Sequence, residues 1–231
     1  MNVCLNGDGQ VDCRGMDGQT TVQDLLDAVD RFLAEHPLPC DRCAESCCKK
    51  HWAVEVDNVA ARRLAGEGNV AAFVRSRLKT KWNYALDFRQ YVLRKQGACP
   101  FVSQENRCSV YAARPLICRL YVCSPRSERY DSLRGAVAAT YLQALVFEQN
   151  MREKQLSEKT LRKYRRNPAL GAIEYRLTLS EIIKYGYRMG WVDGPEEAIQ
   201  AACQSPSPTS TSSKEAEAAT HITSPDKTFQ I

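Results

Sequence analysis

Eight cysteines between positions 40 and 123 constrain this chain more than any other feature, and they fall in two groups. The first is Cys40-x2-Cys43-x3-Cys47-Cys48, inside "CDRCAESCCKKHW"; the second is Cys99-x8-Cys108-x9-Cys118-x4-Cys123. Thiols gathered this densely answer to disulfides, to a metal or cluster, or to a redox-active pair. The chain has 231 residues, 44% of them apolar and 26% charged, so an ordinary core can form without crosslinks to rescue it. The first residues, "MNVCLNGDGQVDCRGMDG", show neither the basic nor the apolar part of a secretory signal, and no apolar run is long enough for a membrane span. The sequence therefore points to the reducing cytoplasm. There, clustered cysteines serve metals or redox chemistry more often than structural disulfides, and an odd total of eleven fits full pairing poorly.

Spacing narrows the geometry. Two cysteines with two residues between them can grip one zinc ion from a single turn. Cys47 and Cys48 are adjacent, so their side chains diverge on a strand and on a helix alike. They serve two different sites, or one binds while the other packs as a small apolar group. A multi-iron cluster, being larger, accepts spread ligands more easily. Eight thiolates can fill two tetrahedral sites, or hold one four-iron cluster and leave four over. Spacing alone leaves these alternatives open.

The second group sits in "ACPFV" and "RCSVYAARPLICRLYVC". C-x2-C-x3-C-C followed by Cys99, Pro100, Phe101, Cys108, Val110, Tyr111, Arg114, Pro115, Cys118 and Arg119 resembles the CxxCxxxCC cysteine-cluster family, often called the YkgJ family and described as zinc- or iron-chelating. The resemblance spans residues 40–123, with the leader, the C-terminal helices and the tail outside it. It implies zinc, or iron as in a 4Fe–4S cluster, held by Cys40, Cys43, Cys47, Cys48, Cys99, Cys108, Cys118 and Cys123. It implies no settled reaction. Longer proteins similar to flagellin lysine N-methylases share the block, so methyl transfer from S-adenosylmethionine is the runner-up, although no Gly-rich strand-to-helix turn is legible. A thiol redox protein is the third reading; its C-x-x-C pair belongs near a βαβ pattern, which is not visible around Cys40.

Arg114 and Arg119 flank Cys118. Cationic groups there offset the negative charge of a thiolate site, and this reading is preferred over an ordinary ion pair with an acidic neighbour. Tyr111, grouped with them around the site, is expected to pack in the core with its hydroxyl on a backbone group. His51 could be a ligand but reads better as a surface histidine. The basic run from Arg152 to Arg166 reads as a solvated helix face. With a formal net charge of only +5, the sequence points to a metal ion as partner and away from nucleic acid and membrane.

The fold class expected is α+β, predominantly α-helical: a small cysteine-rich domain with short β-hairpins, flanked by N- and C-terminal helices. Residues 1–19 read as a flexible leader holding Cys4 and Cys13. Within it "LNGDGQVD" looks like half a calcium loop whose end positions, Cys4 and Gly15, lack the carboxylates such a loop needs. Residues 20–130 join a helix over 20–36, capped by Thr20 or Thr21, to the cysteine domain. In that domain Asp57 and Gly66 bound a helix and 68–79 adds further helical turns. "WNYALDF" reads as a strand with Trp82, Tyr84, Leu86 and Phe88 on one face and "QYVLR" as its partner. "CPFV" and "RCSVY" form a small hairpin, and Pro115 opens a short helix. Residues 131–203 are helical: about 132–155, then "SEKTLRKYRRN", then "TLSEIIKYGYRMG" between Ser180 as cap and Gly190 as stop, then a helix from Pro195 towards Cys203. Residues 204–231, rich in Ser, Thr and Pro, read as disordered.

Overall fold

A computed structural model describes residues 1–37, 48–49, 53–84, 88–152, 158, 161–162 and 165–191. Local signals start most of its helices. Thr21 accepts from the backbone N–H of Asp24 while the Asp24 carboxylate accepts from that of Thr21. This capping box opens α1 (Val22–Glu35), whose Val22, Leu25, Leu26, Val29 and Phe32 form a buried stripe with Leu33 half-buried at its edge. Asp57 and Gly66 bound α2 (Asn58–Ala65), and Asn69 caps α3 (Val70–Arg77). The short helix α4 (Leu116–Arg119) follows Pro115, which stands at its N-cap and not, as expected, at its first position.

The N-terminal segment departs from the expectation of a flexible leader. β1 (Asn2–Leu5) and β2 (Val11–Arg14) pair antiparallel, with Val3 opposite Cys13. The Asn6 side chain accepts from the N–H groups of Asp8 and Gln10, so the calcium-loop-like stretch is the hairpin's turn. Val3, Val11 and Cys13 are buried in the main core. The hairpin is held from outside: Val11 exchanges backbone bonds with Pro125 and Ser127, and Arg129 donates to both oxygens of the buried Asp12. Ser127 Oγ donates to Asp12 and accepts from the N–H of Tyr130. That cap explains why α5 (Glu128–Arg152) starts earlier than the expected residue 132. The final described helix, α6 (Leu179–Met189), is capped by Thr178, not Ser180, in a second capping box with Glu181; it ends at Gly190, whose φ of 72° suits a residue without Cβ.

α1, α4, α5, α6 and the N-terminal hairpin share the largest core. A second core joins α2 and α3 to β3 (Leu78–Asn83) and β4 (Phe88–Leu93) through Val56, Ala60, Val74, Leu78 and Leu93. β3 and β4 are antiparallel, and the free edge of β4 bonds to Val54 and Val56. The strand expected over "WNYALDF" is a correction in register. Its first residues end β3 and its last begins β4, so Trp82 and Tyr84 are exposed while Phe88 packs on Ala138 and Leu142. Alternating apolar residues either side of a turn look like one strand when nothing in the sequence marks the turn. The architecture is helix-dominated α+β, as the sequence implies. Among the described residues no helix is long and apolar enough to cross a membrane.

Much of the run 152–166, the helix expected from Pro195, Cys203 and the tail 204–231 lie outside the described residues.

Candidate metal centre

The two cysteine groups meet through the backbone. The N–H of Cys99 donates to the carbonyl of Cys48 at 2.6 Å, across fifty-one positions of sequence. Cys48 and Cys99 are both half-buried, and Cys99 packs with Phe101 against the second core. Cys40, Cys43, Cys47 and His51 lie outside the described residues.

From Cys99 the chain folds tightly on itself. The Cys99 carbonyl accepts from Val102, Val102 and Cys108 form a single β-bridge, and Ser109 donates to the Phe101 carbonyl with both its N–H and its hydroxyl. The small hairpin expected from "CPFV" and "RCSVY" is therefore this one bridge around a turn in which Asn106 takes a φ of 61°. Cys108, half-buried, stands at its base.

Cys118 is placed by α4, and α4 is placed by Asp57. The Oδ1 atom of Asp57 caps α2 through Ala60 and accepts from the Tyr175 hydroxyl at 2.9 Å; its Oδ2 accepts from the N–H of Leu116 at 2.8 Å. One carboxylate thus caps α2, receives the first N–H of α4 and ties in the chain at 175. Burial pushes its acid up from the ordinary range, against the hydrogen bonds from Ala60, Leu116 and Tyr175 that pull it down. The sequence marks Asp57 only as a helix cap; its other two partners lie 59 and 118 positions away. Leu116, Leu120 and Val122 anchor α4 in the main core, and the Tyr130 hydroxyl donates to the Leu120 carbonyl. Cys118 is half-buried on this helix, and Cys123 beyond it is exposed.

Arg114 and Arg119 converge on Asp30 of α1, at 3.2 and 2.9 Å. The ion pair with an acidic neighbour is thus present, and Asp30 is a residue the sequence reading missed. Tyr111 is not in the core: it is 56% exposed, and the Arg114 guanidinium lies over its ring at 3.8 Å. The Nε of Arg114 is buried without a partner among the described residues. Such a donor, four positions from Cys118, suits an anionic site nearby.

Among the described residues no three Cys, His, Asp or Glu side chains converge as a set able to hold a metal. Among the described residues the structure brings the Cys48 and Cys99 backbones together and gathers none of Cys48, Cys99, Cys108, Cys118 and Cys123 into such a set. The donor chemistry nonetheless suits zinc or iron: soft thiols, with Cys48, Cys99, Cys108 and Cys118 half-buried, and an orphaned cationic donor four positions along the chain from Cys118.

A family model described as "CxxCxxCC: Putative zinc- or iron-chelating domain" matches residues 39–159, just over half of the chain. The chain belongs to the CxxCxxCC family. The domain begins just before Cys40 and runs through α5, farther than the 40–123 block that carries the resemblance in sequence. Within it the chain has three residues between Cys43 and Cys47 where the family's name has two. Searches of the curated proteins and of the solved structures returned no match.

Proposed function

We propose that this CxxCxxCC domain holds zinc or an iron–sulfur cluster at one centre bridging both cysteine groups, with ligands drawn from Cys40, Cys43, Cys47, Cys48, Cys99, Cys108, Cys118 and Cys123. The family described as zinc- or iron-chelating supports the metal; the 2.6 Å bond between Cys48 and Cys99 is the observation that carries the bridging. Thiolates supply soft, anionic ligands, and Arg114 supplies compensating positive charge with a donor still to spend. The metal would link the segment after α1 to the segment after β4 and so contribute directly to folding. A site of this kind belongs in a reducing compartment. No observation favours methyl transfer or thiol exchange over it.

Anaerobic purification followed by metal analysis and an ultraviolet–visible spectrum tests this. Broad visible absorbance bleached by reduction identifies the iron–sulfur form. A colourless protein with stoichiometric zinc identifies the zinc form. A protein that carries neither metal, and whose melting temperature neither metal raises, overturns the reading.

A further inference from the structure

The chain's charge is unevenly spread. Residues 69–96 hold Arg75, Arg77, Lys79, Lys81, Arg89, Arg94 and Lys95 against the single acid Asp87, a net +6 where the whole chain carries +5. This segment is α3 and the β3–β4 ribbon. Arg75, Arg77, Lys79, Lys81, Arg89 and Arg94 are all exposed. None of Arg75, Arg77, Lys79 and Arg89 has a carboxylate partner among the described residues. Lys81 lies near Glu55, whose acid burial pushes up, towards its uncharged form.

The same ribbon carries two solvent-facing rings, Trp82 at 41% exposure and Tyr84 at 89%. Trp82 stands opposite Arg89, so the two leave the same face of the ribbon, while Lys79 and Lys81 leave the other. The exposed positions of β3 are Lys79, Thr80, Lys81 and Trp82, with no aliphatic residue among them. Cations on both faces of the ribbon, with Arg89 beside the exposed Trp82 ring, meet the two demands of single-stranded nucleic acid: charge for the phosphates and flat apolar faces for unpaired bases. An anionic membrane would also attract the cations, but it calls for a run of apolar side chains to insert, and β3 exposes only Trp82 among polar neighbours.

We propose that the β3–β4 ribbon and the adjoining end of α3 bind single-stranded nucleic acid, with Arg75, Arg77, Lys79, Lys81 and Arg89 on the phosphates and Trp82 and Tyr84 stacked on bases. This reverses the sequence reading. That reading weighed the overall charge, which acidic residues elsewhere dilute, and the run 152–166, which has a single aromatic.

The test uses the full chain with its metal. Fluorescence anisotropy follows labelled oligothymidine and oligouridine of about 20 nucleotides, a duplex of equal length, and phosphatidylserine vesicles. Saturable binding to either single strand is expected, weakening as salt rises. Lys79→Ala with Lys81→Ala should lower the affinity about tenfold and flatten the log–log salt slope by about 1.4. Trp82→Ala should weaken single-strand binding by about tenfold. Circular dichroism checks that the variants fold, and Arg75→Ala with Arg77→Ala on α3 replaces the lysine pair if they do not. Binding to neither oligonucleotide at low salt overturns the proposal, as does binding only to the duplex or only to vesicles. So does single-strand binding that neither the charge variants nor Trp82→Ala disturbs.

Discussion

The scaffold and the loop that carries the second cysteine group are built differently. Along α5, Tyr130, Leu133, Val137, Tyr141 and Leu145 are buried, and α2, α6, β2 and β4 pack against that helix, with α1 in the same core. Between residues 97 and 114 no residue is buried. That loop is held by the contact of Cys99 with Cys48, by the packing of Cys99 and Phe101 on the second core, by one β-bridge and by Arg114, which stacks on Tyr111 and pairs with Asp30. A segment that buries so little apolar surface offsets only a small part of its ordering entropy that way. The scaffold's order follows from its buried core, whereas the loop's rests on these few contacts, where the proposed metal would add most.

Removing the metal should break this comparison most visibly. Structural zinc in small domains is worth about 10–16 kcal/mol of apparent binding free energy, so a chelator should loosen everything that depends on it. Proteolysis should then cut within 97–114 while far-ultraviolet circular dichroism keeps most of its helical signal. Collapse of the helical signal together with the metal would show that the two regions are one unit. Cys99→Ser should lower bound metal by at least about half if Cys99 is a ligand; inductively coupled plasma analysis reads this directly.

Asp57→Ala comes next, because Asp57 holds the start of α4, the helix that follows that loop. It leaves the buried N–H of Leu116 and the Tyr175 hydroxyl without their acceptor and uncaps α2. A loss of about 3–5 kcal/mol is expected in urea unfolding, together with weaker metal binding as α4 shifts.

A smaller effect is expected at the N-terminal hairpin, from acid. Burial pushes the Asp12 acid up, but hydrogen bonds from Arg129, Ser127 and the Cys13 backbone, with the charge of Arg129, outweigh it and hold it below the ordinary value. The charged form is therefore favoured in the fold. Its stabilisation is complete above the unfolded carboxyl's pKa and disappears as pH falls through the lower folded value. Asp12→Asn should cost about 1–2 kcal/mol near neutral pH and nearly nothing at low pH, read from thermal melts across that range. The smallest change is at the caps: Thr21→Ala and Thr178→Ala should each cost about 1 kcal/mol in the same melts, and neither should alter bound metal.

Much of this was legible locally. α1 with its Thr21 cap, α2 between Asp57 and Gly66, and the stop at Gly190 all follow from residues within a turn of each other. The cysteine spacing and the "ACPFV…RPLICR" block were enough to place the family. Three of the misreadings share one cause. The leader is ordered because Asp12 meets Arg129, and α5 starts early because Ser127 meets Asp12, both contacts more than a hundred positions long. Tyr111 is outside because Arg114 turns to Asp30, 84 positions away.

Periodicity and capping are short-range physics, so the sequence by itself determined where most helices run, that thiols cluster in two groups, and what chemistry such thiols suit. Tertiary structure decided that Cys48 touches Cys99, that one buried carboxylate holds α2, α4 and Tyr175 together, and that the basic residues around β3 gather on one exposed ribbon. Those contacts depend on how separate elements pack, and no spacing within a single element encodes them.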